Sequence, residues 1–375
     1  MRVSLPTTIL ALAIALAWLG WSAKPTEAGA PGMAQITDKV APGNQSEVIA
    51  PGQILNQGES QGPYLGQGSF LDQGQCQEPM DGCAGCGPCG PRWTFTAETI
   101  ALERTTTRSV PLFVPTVVDP KPLDANELNF PVAYGPKVSA IRHDVCGCDV
   151  EVAYFQVDGF TGVGLLPGTS RMVTDMAGTS LLVNDGTTRY TSALYNGELN
   201  LRRQANEWLT LLAGFRAIEL DERYHGMGTD AGNPTLTDFL STNTFNHLYG
   251  GQIGADAEVF NLGGPLQINV LCKAGVFGNA AQQNYQLAPS GIPLDSFATR
   301  SCSQTSFLGD AGVVATYALT KHLAFRASLD TLWLTGVALA PEQISSVNLR
   351  RRTDVINTSG GVFYYGGGVG MECRF

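Results

Sequence analysis

The sequence predicts an all-β protein: an antiparallel up-and-down transmembrane β-barrel of about ten strands, with long outer loops and short periplasmic turns. Three observations lead there. Strand-like segments alternate between an apolar and a polar face; long and short connections alternate between them; and the composition is apolar yet sparing in charge. Hydrophobic residues make up 43% of the 375 residues and charged ones 15%, with 44 glycines. A soluble domain carries about 25% charged residues. Runs of Glu, Lys, Ala and Leu that favour helices are scarce, whereas Gly, Thr, Val, Tyr and Phe abound.

The N-terminus reads as an export signal over residues 1–30. Arg2 precedes an apolar run from Ile9 to Trp21, the length of a signal-peptide core and too short to span a bilayer as a helix. Ala28-Gly29-Ala30 offers a small-residue cleavage site; Pro31 follows it poorly, so cleavage after Ala28 is an alternative. Residues 31–91 form a separate extension with Gln-Gly pairs at 57–58, 61–62, 67–68 and 73–74 and few apolar clusters. Such a segment buries too little surface to fold and is expected to be flexible. It carries Cys76, Cys83, Cys86 and Cys89. With no histidine near and no fourth ligand at a metal-binding distance, disulfides or cross-links in an oxidising compartment are expected rather than a metal centre.

From Arg92 onward the alternation gives strands over 92–104, 134–142, 149–158, 188–203, 206–221, 244–260, 265–277, 305–318, 323–334 and 359–375. The intervals 143–148, 204–205, 261–264 and 319–322 are short, while 105–133, 159–187, 222–243, 278–304 and 335–358 each exceed twenty residues. Bacterial barrels place short turns at the periplasmic end and long loops outside, and have an even number of strands. Within strands, Ala193, Tyr195, Leu199 and Leu201 oppose Asn196, Glu198, Asn200 and Arg202. Ile268, Val270, Cys272, Ala274 and Val276 likewise oppose Gln267, Asn269, Lys273 and Gly275. Successive side chains point to opposite faces, so each strand has one apolar and one polar side. The segment 206–221 fits less well, because Trp208, Leu212 and Ile218 share a face with Arg216. Pro136 and Pro265 fall at strand starts, where a missing N–H is tolerated.

The final segment is the clearest. Phe363, Tyr365, Val369, Met371, Cys373 and Phe375 lie on one face; Tyr364, Gly366, Gly368, Gly370, Glu372 and Arg374 lie on the other. A strand of this pattern fits between lipid and a lumen, and its terminal Phe375 is the expected assembly signal read by the barrel-insertion machinery. The glycines 366–368 and 370 point to close packing inside a narrow barrel. Tyr249, Phe260, Tyr317, Trp333, Phe363 and Phe375 lie near strand ends, as interfacial aromatic girdles require.

Several stretches resemble the beta-barrel porin-7 family of bacterial outer-membrane proteins. They are Leu194–Arg203 (LYNGELNLRR), Leu211–Arg223 (LLAGFRAIELDER), Asn246–Asp256 (NHLYGGQIGAD), Leu271–Asn279 (LCKAGVFGN) and Leu339–Gln343 (LAPEQ). The resemblance covers residues 92–375 and implies a location in the outer membrane and a barrel shape; it brings no binding residues with it.

An enzyme is not expected. The four histidines are His143 and His322 in short turns, His225 in a long loop and His247 opening a strand, and no G-x-S-x-G elbow is present. No cofactor or metal site is expected in the barrel. The net charge is −10, and removal of Arg2, Lys24 and Glu27 with the signal makes it −11, which argues against nucleic-acid binding. The expected functional set faces the lumen: Glu198, Arg202, Arg216, Asp256, Glu258, Lys273, Asp310, Arg326, Asp330, Glu372 and Arg374, five basic and six acidic. An Arg or Lys facing lipid at the midplane costs about 2–4 kcal/mol, so these side chains belong inside. Lining a water-filled channel, they would give a porin-like passive pore for small solutes or ions. Pairing with one another, they would plug the barrel and leave an anchor or surface-display protein. Ten strands lie close to the size that side chains fill. A secreted β-sandwich shares the same period and is the third reading.

Phe375→Ala tests the barrel directly: assembly into the outer membrane should fall and unfolded protein should accumulate in the periplasm. Unchanged yield of folded protein would favour the sandwich, where trimming a fraying chain end is cheap.

Overall fold

The computed structural model describes residues 91–375, except 117–120, 146, 177, 290–294 and 349–352. The export signal, the Gln/Gly extension and Cys76, Cys83, Cys86 and Cys89 lie outside the described residues. Among the described residues there are fourteen strands: β1 (Trp93–Arg104), β2 (Pro111–Pro115), β3 (Leu123–Asp124), β4 (Ala133–Val145), β5 (Cys148–Val173), β6 (Ser180–Asn206), β7 (Leu209–Asp230), β8 (Thr237–Asn261), β9 (Leu266–Ala288), β10 (Asp295–Ala318), β11 (Leu323–Val337), β12 (Val347–Asn348), β13 (Thr353–Asp354) and β14 (Gly360–Arg374). No helix among the described residues is long and apolar enough to cross a membrane.

Ten of these strands close a ring in the order β1-β14-β11-β10-β9-β8-β7-β6-β5-β4 and back to β1, each pair antiparallel. All ten expected strands are found. The seam between first and last strands runs from Thr94 opposite Arg374 to Arg104 opposite Tyr364. It is tightened by two backbone bonds between Trp93 and Phe375, 3.0 and 2.9 Å. Glycines make this seam possible: a Cβ at Gly370 would lie 2.1 Å from the Ala97 carbonyl oxygen and 2.6 Å from Glu98 Cα. Pro136 precedes the residue at which β4 begins its ladder to β5, so its missing N–H breaks no bond to that strand.

Short and long connections fall at opposite ends of the barrel, as expected, but three of the long ones are mostly ladder. β5 and β6 stay paired from Asp149–Arg202 up to Val173–Ser180. β7–β8 and β9–β10 extend in the same way, so the connecting segments shrink to 174–179, 231–236 and 289–294. The reason is a change of phase. Near the short-turn end the outward residues are apolar. Further out the outward residues become polar (Glu219, Asp221, Arg223; Gln282, Asn284, Gln286) and the inward ones apolar (Leu220, Tyr224; Ala281, Tyr285, Leu287). The strand continues while its hydrophobic pattern inverts. His225 accordingly lies in β7, stacked on Phe239 at 5.8 Å, rather than in a loop. His247 likewise lies well inside β8 rather than at its start.

The wall is therefore uneven. β5 to β10 are 22 to 27 residues long, whereas β1, β4, β11 and β14 are 12 to 15. Two regions fold inward to fill the outer part: 105–116 with 121–132, carrying β2 and β3, and 338–348, carrying a 3-10 helix over Pro341–Ser346. β2 pairs with β5 through Phe113–Met172. The Phe113 ring lies where Gly186 has no side chain; a Cβ there would sit 2.6 Å from it.

Gly370→Val should force β1 and β14 apart, costing at least the ~1–3 kcal/mol of an overpacked site. Urea unfolding of the detergent-folded protein, read by heat-modifiable migration, measures it.

Candidate functional site: a lumen in two layers

Strand alternation places side chains inside the barrel in a regular order. On β1 the inward residues are Thr94, Thr96, Glu98, Ile100, Leu102 and Arg104, all buried. On β6 they run from Tyr190, Ser192 and Leu194 to Asn196, Glu198, Asn200 and Arg202. The half near the short turns is thus polar and charged, and the other half is apolar.

Two ion-pair networks occupy the charged half. In the first, Glu198 accepts hydrogen bonds from Lys273 Nζ at 2.7 Å, Gln252 Nε2 at 2.9 Å and Asn196 and Asn200 Nδ2 at 3.1 Å each. Arg216, with a fully buried side chain, donates from Nη1 to Asp310 at 3.0 Å and lies 3.5 Å from Glu198. Arg202 bridges Asp256 at 2.6 Å and Glu151 at 3.3 Å. In the second, Arg326 joins Glu98 and Glu372, the latter at 3.2 Å. Arg374 reaches Glu372 at 2.6 Å, and Lys137 reaches Asp330 at 2.8 Å. Of the eleven residues expected to face the lumen, ten stand in these pairs. Glu258 lies beside the bulge in β8 and accepts a bond from Gln267 at 2.6 Å. At the short-turn rim His143 bridges Thr94 at 2.9 Å and Asp149 at 2.8 Å.

The sequence reading did not name Glu98, Lys137 or Glu151, although stepping by two along β1, β4 and β5 reaches them. It also missed the pair that holds the apolar half together. Arg104 Nη1 meets Glu222 Oε1 at 2.8 Å, with both side chains fully buried. Tyr190 donates to Glu222 at 2.5 Å, and the Arg104 guanidinium lies 4.5 Å from the Phe130 ring centroid. Around this pair Leu112, Phe113, Leu128, Phe160, Leu194, Leu220, Leu248, Leu334 and Leu339 form one buried cluster. The strap 338–347 is fixed by its backbone. Asn246 takes both polar atoms of Ala338, at 2.8 and 2.9 Å, and Glu222 accepts the Ala340 N–H at 3.0 Å. Asn279 and Ser306 hold the Gly336 carbonyl just before it.

The exterior is the reverse of the lower lumen. Phe95, Val152, Leu199, Leu201, Leu211, Phe215, Tyr249, Ile253, Val276, Val313, Tyr317, Phe325, Leu329, Val369 and Phe375 are all exposed. They girdle the half of the barrel whose inside is charged. Tyr249, Phe260, Tyr317 and Phe375, from the expected aromatic set, are among the exposed residues.

No protein-family model matches the chain, and no curated relative does. Among solved structures, the outer-membrane protease OmpT from Escherichia coli aligns at 10% identity, covering 76% of this chain and 96% of that one, with a TM-score of 0.43. The translocator domain of the autotransporter NalP from Neisseria meningitidis aligns at 9% identity over 76% and 88%, TM-score 0.37. The toluene transporter TodX from Pseudomonas putida aligns at 6% over 77% and 90%, TM-score 0.30. At these scores the activity of none of them transfers; the barrel assignment rests on the closed ring of strands itself.

Arg216→Met should lower stability by about 3–5 kcal/mol, because it strips Asp310 of its ion-pair partner and leaves Glu198 ion-paired with Lys273 alone. Arg374→Gln, at a side chain 31% exposed, should cost no more than ~1 kcal/mol. Denaturant titration of both variants in detergent checks the contrast.

Proposed function

We propose that this chain is an exported bacterial outer-membrane β-barrel with a closed lumen, serving as an anchor that holds a tall hairpin wall at the cell surface. The observation that carries this reading is the distribution of side chains across the wall: apolar outside and ion-paired inside over the same half of the barrel. A soluble sandwich has the opposite arrangement, whereas a lipid-facing barrel requires this one. An exterior stripe such as Ile268 to Val276 spans nine residues, close to the ~9–11 that a tilted strand needs to cross the hydrocarbon core. Outer-membrane lipid and the insertion machinery are then its partners, and the extended ends of β5 to β10 project outward.

The closed lumen is favoured over a passive pore by the pairing itself. Charges that set selectivity in a channel are presented to water. Here Arg216, Glu198 and Lys273 are almost wholly enclosed and paired through Glu198, and the strap and the segments 105–116 and 121–132 fill the space above them. An open path would require both layers to part.

Reconstitution in planar bilayers tests this. Folded, heat-modifiable protein that fractionates with the outer membrane should give no steady unitary conductance. Reproducible channel steps would return the porin reading, and absence from the outer-membrane fraction would remove both.

A further inference from the structure

The strap contains a group that the closed-barrel reading does not use. Glu342 sits in the 3-10 helix Pro341–Ser346, is 2% exposed, and neither carboxylate oxygen has a side-chain partner among the described residues, the Arg108 backbone N–H being the polar group that approaches it. Its neighbours in the strap, Ala338, Leu339, Ala340, Gln343 and Ile344, are equally enclosed. A buried carboxylate with no side-chain partner is among the costliest arrangements a protein can hold, and the neutral acid is tolerated far better.

Among the described residues no charged group forms an ion pair with it. Glu222 on β7, which accepts the Ala340 N–H, is itself acidic, and Arg104 on β1 is committed to it at 2.8 Å. Arg108 on the 105–116 segment turns its guanidinium to Ser359, at 2.9 and 3.3 Å. β8, against which the helix packs, brings Asn246, spent on the Ala338 backbone, and Thr242 and Thr244, neither of which bonds to Glu342. At the far end of the strap, Asp175 is engaged with Thr179.

We propose that the strap is a proton-controlled latch: it seats in the barrel while Glu342 is protonated and loosens when Glu342 ionises. Burial pushes the Glu342 carboxyl up from its ordinary value; Arg108, through its charge and its backbone N–H, opposes the rise, and Glu222 adds to it. A free glutamate titrates near 4.3. Seating is therefore fully favoured below that value and weakens as pH rises through the higher value of the seated carboxyl. Loosening uncovers the apolar inner face formed by Leu220 and Leu248, while the ion-paired half beneath stays shut. The latch thus acts on the outer cup and does not depend on whether the lumen conducts.

Hydrogen exchange of the full chain, folded in detergent and followed from pH 5 to 8, tests it after correction for the intrinsic exchange rate. In the wild type, protection of the Ala338 and Ala340 amides should fall by up to about tenfold per pH unit above the seated titration, the slope of a single-proton linkage. Glu342→Gln, a neutral near-copy of the protonated acid, should keep its protection across the range. Flat wild-type protection, or an equal fall in both proteins, overturns the latch. If the variant does not fold, the wild type alone decides: a fall shared by the short-turn half of β6 and β7 overturns the proposal, and a fall confined to the strap supports it.

Discussion

A ring of ten strands leaves room for side chains and little else, so each charge pointing inward must find a partner there. Glu198 shows how strict this is. It collects Lys273, Gln252, Asn196, Asn200 and Arg216, drawn from four strands, and so ties β6, β7, β8 and β9 to one carboxylate. The register of those strands follows, because a slip of one residue would turn Glu198 or Lys273 toward the apolar exterior. The glycines of β14 serve the same end from the other side, allowing β1 to approach closely enough for Glu98, Arg326 and Glu372 to meet.

The two halves of the interior answer different needs. Where the outside is apolar, the inside takes the polar residues. Where the outside is polar, the inside builds an ordinary hydrophobic core. Arg104 and Glu222 mark the transition: a charged pair inside the apolar half, satisfied by Tyr190 and the Phe130 ring and also used to seat the strap. Such a pair adds little net stability relative to apolar residues of the same size, but it fixes which segments may meet.

Strand number and the facing of the inward charges were readable from the sequence because period-two alternation is unambiguous where one face is apolar and the other charged. Ala193 to Arg202 and Gln267 to Val276 behave as their pattern implies. The outer halves of β5 to β10 were not readable as strand, since the apolar positions change face midway, as between Phe215, outward, and Leu220, inward. Leu212 and Ile218, which fitted poorly beside Arg216, are simply inward residues of a strand that crosses both layers. The Arg104–Glu222 pair was hidden for a related reason. Each lies just where the alternation fades, and 118 residues separate them, so nothing local joins them.

The unequal strand lengths also bear on how the cylinder yields to force. β5 and β6 are zipped together from Asp149 to Val173, while β4 and β5 share only Lys137 to Arg142 and a further pair at Val145. Backbone bonds in a ladder share a load, and a short ladder concentrates it. Tension applied around the circumference therefore converges on β4, held to β5 by that short ladder and to β1 by one that stops at Leu102. The molecule has a built-in line of parting, and it lies beside the strand that joins the two ends of the sheet.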